Sequence, residues 1–290
     1  MNDIAILMCC YNRKDKTIRA IKEIYNQVLD KRFNIDIYLL DDGSVDGTEE
    51  AVTKEFPEVN IVKGDGSYFW NGGMRAAYYK AKQKRYSFYV WMNDDTFIYK
   101  ESIAKLLDAY LIMGKKSNQA PTIVVGTTVN SKGDITYGGV QKHSRLRPIK
   151  YNIVIPHHSN IKSCDTFNGN IVLIDARAYN LVENLDPNFV HGMGDFDFGL
   201  RAKKAGAKLF VSPGILGVCE KNPVQGTYND TNLSLKEGLR ILYSIKGLPV
   251  KQWYLFTKRH AGLIWFFYFA KPYVEYIPKF VFKKYLKLNR

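Results

Sequence analysis

The sequence predicts an α/β protein: a doubly wound, mostly parallel sheet followed by a C-terminal helical appendage rich in aromatic and basic residues. Three observations predict it. Short apolar runs alternate with amphipathic segments four times in about the first 110 residues, the rhythm of strands joined by right-handed helical crossovers. Two of those runs, ending at Leu40 and Met92, pass straight into acidic stretches. In an open sheet of this kind both stretches lie outside the carboxyl ends of the strands, where ligands bind. Beyond about Gly217 the composition shifts, and residues 251–290 are dense in aromatics and in Lys and Arg.

The elements follow in order. Ile4 to Cys10 is a short apolar run and a first strand. Tyr11-Asn-Arg-Lys is a loop, and Asp15 is placed to cap a helix through about Val28, with Ile18, Ile21, Ile24, Tyr25 and Val28 on one face. Ile35 to Leu40 is a second strand and ends in Asp41-Asp-Gly-Ser-Val-Asp-Gly-Thr48, where Thr48 heads a short helix. Val59 to Val62 is a third strand. Gly64 to Gly73 reads as a glycine-rich, aromatic loop, and Met74 to about Arg85 as a helix. Tyr89 to Met92 reads as a strand buried on both faces, and a helix lies near Ser102 to Met113. Thr122 to Thr128 is β-rich, and Asn130-Ser-Lys-Gly133 is a hairpin turn. Residues 141–162 are basic and read as a loop, with His143, His157 and His158. Ile171 to Ile174 is another buried strand, preceded by Asn168-Gly-Asn170. Asp195 to Ala205 is a helix with charged ends, and Lys208 to Val211 a last short strand.

Composition narrows the function. A chain of 290 residues with 46% hydrophobic and 14% aromatic content, including 20 Tyr and 16 Phe, is globular rather than disordered. The 42 Lys and Arg against 28 Asp and Glu give a net charge of +14, which favours polyanions: nucleic acid, anionic lipid or phosphorylated small molecules. Cys9, Cys10, Cys164 and Cys219 have neither zinc-site nor disulfide-framework spacing and read as reduced, mostly buried thiols of a cytosolic protein. No signal peptide is evident at Met1-Asn-Asp-Ile, and no run of about 18 clean apolar residues suits a membrane span.

The chemistry concentrates in the acidic stretches. Asn93, Asp94 and Asp95 present oxygen ligands where Tyr89–Met92 ends, a donor set that suits Mg²⁺ or Mn²⁺ and, through the metal, a diphosphate. Carboxylates at Asp41 and Asp42 can accept from a base N–H or from ribose hydroxyls, or they can belong to an ordinary Asp-rich turn. Gly64, Gly66, Gly72 and Gly73 permit close backbone approach to a ligand, and Arg75 can neutralise phosphate; a surface loop around a packed Trp70 is the other reading. Asp195 and Asp197 sit at a helix mouth on different faces. One can face a cleft while the other pairs with Arg201 at i,i+4. Helix-dipole stabilisation alone also accounts for acids there.

Cys9-Cys-Tyr-Asn-Arg13, Leu39-Leu-Asp-Asp-Gly-Ser-Val-Asp-Gly-Thr48, Met92-Asn-Asp-Asp-Thr96 and Gly194-Asp-Phe-Asp-Phe-Gly-Leu-Arg201 occur in that order. Together they resemble the family 2 glycosyltransferases of bacterial polysaccharide assembly, over about residues 4–220. The resemblance implies a GT-A fold, Rossmann-like, with a catalytic domain over 1–217. Its nucleotide-sugar half would cover about 1–100 and its acceptor half about 101–217, with a helical segment over 218–290. It implies an inverting transfer of a hexosyl or deoxyhexosyl group from a nucleotide-diphosphate sugar, UDP favoured, with Mn²⁺ or Mg²⁺. The acceptor would be a hydroxyl of a lipid-linked glycan in capsule, O-antigen or exopolysaccharide synthesis, at the cytoplasmic face of the membrane.

Carried over residue by residue, Tyr11, Asn12, Arg13, Asp41, Asp42, Gly72, Gly73, Arg75 and Asp94 surround the nucleotide sugar. Asp95 holds the metal, with Asn93 beside it where the family has its first Asp. Asp195 is the general base, with His191 a second choice; the usual Glu before the base is Gly194. Where the family often has a metal- or phosphate-touching His, this chain reads Val218-Cys-Glu-Lys-Asn222, so Glu220 stands in as an oxygen ligand and Lys221 as a phosphate contact. The tail suits a bilayer interface by its aromatic and basic content, or a helical subdomain packed on the catalytic domain, with Pro272 and Pro278 breaking any long span.

Two other classes remain at this stage. A metal-dependent nucleotidyltransferase also pairs an α/β sheet with acidic sites, but a Lys-bearing Gly-rich loop after the first strand is missing from Tyr11-Asn-Arg-Lys. A nucleic-acid-binding module is prompted by the charge, yet no such motif is present and the carboxylate clusters repel phosphate. No nucleic acid is expected as a partner.

Overall fold

The computed structural model describes residues 2–144 and 147–288. Met1 of the N-terminal segment, positions 145 and 146 of the basic stretch and the last two residues of the tail lie outside them. The chain divides into two compact units: Met1–Gln141, Asn152–Val190 and Gly194–Lys221 in the first, and Lys142–Tyr151, His191–Met193 and Asn222–Arg290 in the second.

The first unit opens with β1 (Asn2–Cys10), α1 (Lys14–Tyr25), β2 (Phe33–Asp41), α2 (Thr48–Glu55), β3 (Asn60–Lys63), α3 (Phe69–Ala81) and β4 (Phe88–Met92). β1 pairs in parallel with β2 and β4, and β2 with β3. There follow β5 (Phe97–Ile98), α4 (Ser102–Lys116), β6 (Thr122–Val125), β7 (Thr128–Val129), β8 (Ile135–Tyr137), β9 (Gly139–Ser144), β10 (Arg147–Ile153), β11 (Lys162–Ser163), β12 (Thr166–Phe167) and β13 (Ile171–Asp175), with Lys142–Tyr151 of β9 and β10 counted in the second unit. Then come α5 (Ala176–Val182), α6 (Gly194–Lys204), β14 (Lys208–Val211) and β15 (Gly217–Val218). Eight strands form one sheet in the order β11-β14-β6-β13-β4-β1-β2-β3. β13 runs antiparallel to both of its neighbours, β4 and β6.

The sheet is buried on both faces. Along β1, Ala5, Leu7 and Cys9 join the core formed with Met74, Ala77 and Tyr78 of α3 and with Phe198 of α6. The alternate residues Ile4, Ile6, Met8 and Cys10 join Ile21 and Ile24 of α1, Val52 of α2 and Leu106 of α4. This two-sided burial is why β1, β2 and β4 read as unbroken apolar runs.

Three local expectations need correction. α3 begins at Phe69, not Met74, because the Asp42 carboxylate accepts from the N–H groups of Tyr68 and Phe69 and so satisfies donors that a helix start leaves open. Residues 141–162 are not a plain loop: β9 and β10 form a ribbon, with β9 joined to β12 at Val140–Thr166 and Gly139–Phe167. Gln141–Ser144 of β9 are exposed and polar, so no alternating apolar pattern marks the strand. Pro272 and Pro278 do not end their helix, as described next.

The second unit is built around α7 (Leu235–Leu242), α8 (Val250–His260) and α9 (Trp265–Leu288). α7 starts with a capping box, Ser234 accepting from the Glu237 N–H while the Glu237 carboxylate accepts from Ser234. Leu242, Tyr276 and Phe280 form its small core with Leu235, Leu239 and Tyr273 packed against them. α9 runs through both prolines; each deletes one internal hydrogen bond, which a bend tolerates. Among the described residues no helix is long and apolar enough to cross a membrane.

Candidate active site

Because β1, β2 and β4 are parallel, their carboxyl ends place Cys10, Asp41 and Met92 on one edge. The antiparallel β13 brings its N-terminal flank, Gly169–Asn170, to that same edge, where the Asn93 N–H donates to the Asn170 carbonyl at 3.3 Å. All the acidic stretches therefore meet at one rim of the first unit.

Asn12 adopts φ +50°, tolerable for Asn. Its N–H donates to Ser44 Oγ at 2.9 Å, and its Oδ1 accepts from the Val45 N–H at 2.8 Å. The Lys14 N–H donates to Asp46 at 2.9 Å. The loop after β1 is thus stitched to the loop after β2, leaving Tyr11 exposed. Asp41, buried, accepts from the Ser44 N–H at 2.9 Å. Asp42, also buried, accepts from Gly66, Tyr68 and Phe69 at 3.0, 3.2 and 2.8 Å. Its carboxylate shapes the loop ahead of α3. Gly64 is required there, since a side chain would fall 2.7 Å from Asp42 Oδ1.

Arg13 stands at the centre. Its guanidinium donates to Asp94 Oδ1 at 3.2 Å and to Asp95 Oδ2 at 2.9 Å. Burial pushes the Asp94 carboxyl up to about 7 even though the Arg13 charge opposes the shift. On Asp95 also bears the Cys219 thiol, 3.7 Å from Oδ1, and Cys219 in turn accepts from Asn170 Nδ2 at 3.3 Å. Burial raises the Cys219 thiol to about 11, so it is a neutral group.

Asp195 lies in the first turn of α6 and is half-buried. Its Oδ2 accepts from the Gly169 N–H at 3.1 Å and its Oδ1 from the Phe196 N–H at 2.8 Å. Burial raises its carboxyl to about 6, against the pull of those two donors. Asp197 is fully buried and bonded to Arg201 Nε at 2.6 Å, while the rest of that guanidinium donates to the Val182 and Asn184 carbonyls. The expected i,i+4 pair is Asp197 with Arg201, while Asp195 accepts from backbone donors only.

Trp70 joins the two halves of the rim. Its indole N–H donates to Asn93 Oδ1 at 2.8 Å, and its ring lies against Gly169, where any side chain would come within 2.7 Å of it. Asn71, the next residue, donates to the carbonyls of Asp186 and Phe189. A Cβ at Gly194 would overlap Asn71 Oδ1. That explains why glycine precedes Asp195 where the resemblance leads one to expect Glu.

Several expected ligands have other partners on the protein. Asn93 accepts the Trp70 indole N–H on its amide oxygen. Glu220 Oε1 accepts from the Ser131 N–H at 2.7 Å; Cys219, its neighbour, is the group on Asp95. Gly72 and Gly73 lie inside α3, and Gly73 is needed for packing, since a Cβ would overlap Cys9. Arg75 is on the same helix with Nε buried and its carbonyl accepting from Asn184.

Whether the residues fit a divalent cation can be judged from Arg13. Two carboxylates already converge on one positive charge, and both are hard oxygen donors. Among the described residues no group of three or more His, Cys, Asp or Glu could hold a metal alone. Such a pair suits Mg²⁺ or Mn²⁺ completed by substrate phosphate oxygens and water.

The family model described as Glycosyl transferase family 2 matches residues 5–167, more than half of the chain. Among solved structures, TarS of S. aureus is 12% identical with a TM-score of 0.56, over 89% of this chain and 42% of that one. A mannosyltransferase of Pyrobaculum calidifontis, in complex with GDP-Man and Mn²⁺, is 12% identical with a TM-score of 0.57, over 88% and 64%. TarS residues 1–349 in complex with UDP gives 11%, 0.55, 89% and 70%. At these identities the likeness is one of fold, the GT-A fold. The chain spans less than two thirds of the first two structures. Comparison with curated proteins gives no match.

Proposed function

We propose, from the premise that this chain belongs to glycosyl transferase family 2, that it moves a hexosyl or deoxyhexosyl group from a nucleoside-diphosphate sugar to a glycan hydroxyl, with inversion. The observation that carries this reading is the single rim on which Arg13, Asp94 and Asp95 are tied together and Asp195 is tied to Gly169, with Trp70 bonded to Asn93, next to Asp94, and packed on Gly169. This is a carboxylate pair suited to a cation, on the same rim as a carboxylate that burial pushes up.

Asp195 takes the acceptor's hydroxyl proton as the acceptor oxygen attacks the anomeric carbon. The bond from that carbon to the diphosphate breaks, and its electron pair leaves on the diphosphate. A carboxyl near 6 is suited to the task, because it is mostly ionised at neutral pH yet more basic than an ordinary Asp. Asp95 and Asp94 would hold Mn²⁺ or Mg²⁺. That ion, when bound, supplies neutralisation of charge on the leaving diphosphate. Arg13 adds a fixed positive charge at the same place. Asp41 and the Asn12–Ser44 stitch frame the nucleoside, while Asp42 acts indirectly by fixing the Gly66–Phe69 backbone.

The donor favoured is UDP-linked, and the acceptor a lipid-linked glycan of capsule, O-antigen or exopolysaccharide synthesis. Support for the donor class comes from the neighbouring folds, whose complexes hold UDP in one case and GDP-Man with Mn²⁺ in another. The test is thermal denaturation with a panel of nucleotide sugars and Mn²⁺. A ligand at about a hundred times its Kd should add about 2.7 kcal/mol of stability. A panel in which no nucleotide sugar raises Tm, with or without Mn²⁺, would sink the reading.

A further inference from the structure

The chain's positive charge is not spread evenly. The second unit holds 16 Lys and Arg against 3 Asp and Glu, so it carries +13 of the net +14. The catalytic rim, with its carboxylates, belongs to the nearly neutral first unit.

The same unit exposes an apolar helix face. On α9, Phe266, Ala270, Val274, Ile277, Val281 and Tyr285 recur at intervals of three and four residues and fall within an arc of about 100°. All are exposed, Val274 to 72% and Tyr285 to 64%. The stripe is extended by the turn before the helix, where Leu263 is 97% exposed. It is not the face that holds the unit together. Tyr273, Tyr276 and Phe280 do that from another side of the helix, with the Tyr276 and Tyr273 hydroxyls donating to the carbonyls of Tyr228 and Leu248. Glu275, the one acid of α9, points about 130° away from the stripe and is bonded to Lys279. Lys284 lies within the arc and is exposed. On the side of α9 turned away from the stripe, a groove of about 650 Å³ is lined by Arg147, Lys150, Lys271, Lys279 and Glu275 with Trp253.

We propose that α9 lies in the surface of an anionic lipid bilayer, its Leu263–Tyr285 stripe in the acyl boundary and Lys284 and Lys271, within and at the edge of that stripe, among the lipid phosphates. The pattern is that of an interfacial helix: apolar and aromatic on one face, Lys and Arg around it, and too interrupted to span. A second copy of the chain is disfavoured as the occupant, because joining two such faces brings two +13 units together. Nucleic acid would use the charge but leave the apolar stripe uncovered. A bilayer with anionic headgroups satisfies both features. The inference goes beyond the transfer reaction and is independent of it.

The test is co-sedimentation of the full chain with vesicles of phosphatidylglycerol and phosphatidylcholine in about a one-to-three ratio, without donor or metal. Wild-type protein should partition onto them at least ~10-fold better than onto pure phosphatidylcholine, and added salt should weaken it. The triple change Phe266→Ser, Val274→Ser, Ile277→Ser touches only exposed positions, so circular dichroism and Tm should be unchanged while partitioning falls at least ~10-fold. Lys271→Glu with Lys284→Glu should lower binding to the anionic vesicles alone. Wild-type protein that ignores the vesicles, a triple variant that binds as wild type, or equal binding to both lipids would each overturn the proposal. So would a wild-type dimer that the triple change converts to monomer without any vesicle binding, which would assign the stripe to a second copy. Failure of sugar transfer leaves this result untouched.

Discussion

Asp195→Asn separates the proposed base function from everything else the side chain does. The amide is isosteric and keeps one oxygen, so one of the two N–H donors, Gly169 or Phe196, retains its acceptor and the other loses it. That loss should cost about 1–3 kcal/mol of stability. The catalytic loss should be larger. Removing a positioned base lowers kcat by about 100- to 10,000-fold, or roughly 3–5 kcal/mol in the barrier. Donor Kd, measured by calorimetry with Mn²⁺, should stay within about threefold, because the nucleotide side of the rim is built from other residues. The wild-type pH profile supplies an independent check. A carboxyl raised to about 6 must be deprotonated to accept a proton, so kcat should rise as pH rises toward 6 and level off above it. In the variant that limb should vanish. A kcat within tenfold of wild type, a donor Kd that rises as far as kcat falls, or a wild-type profile flat through pH 6 would each refute Asp195 as the base.

Gly194→Ala forces a Cβ onto Asn71 Oδ1. It should cost roughly 1–3 kcal/mol, a fall of about 3–10 °C in Tm; an unchanged melting curve would contradict the packing described. Arg13→Ala leaves Asp94 and Asp95 facing each other without a cation. Tm should drop in chelator and recover in Mn²⁺, and a variant that gains no more from Mn²⁺ than wild type does would contradict the stand-in role of the guanidinium.

What could be read from the chain was local. Leu40 into Asp41 and Met92 into Asn93-Asp94-Asp95 announce a strand end and a cluster of oxygen groups within a few residues, and parallel pairing puts both on one edge. Asp197 with Arg201 was legible for the same reason, since helical spacing fixes the pair. What escaped depends on partners far along the chain. Nothing near Asn93 reveals that its oxygen accepts from Trp70, nor near Glu220 that its carboxylate accepts from Ser131. Gly72 and Gly73 looked like a ligand loop because nothing nearby reveals that Asp42 starts α3 ahead of them. Gly169 was passed over because the strand rhythm predicts parallel neighbours. Only an antiparallel β13 brings the segment before that strand to the acidic rim, where Gly169 holds Asp195. The signal available was Asn168-Gly-Asn170 itself, a turn-forming triplet directly ahead of an apolar run.

The central claim is that Asp95 and its neighbours hold a cation that couples the protein to a diphosphate. Titrating UDP and GDP into wild-type protein and Asp95→Ala, each with Mn²⁺ and with chelator, tests it most directly. At least one nucleotide should bind wild type at least ~10-fold more tightly with Mn²⁺, about 1.4 kcal/mol, and the variant should show no such gain. The same affinity with and without Mn²⁺ in wild type, or the same gain in both proteins, would contradict it.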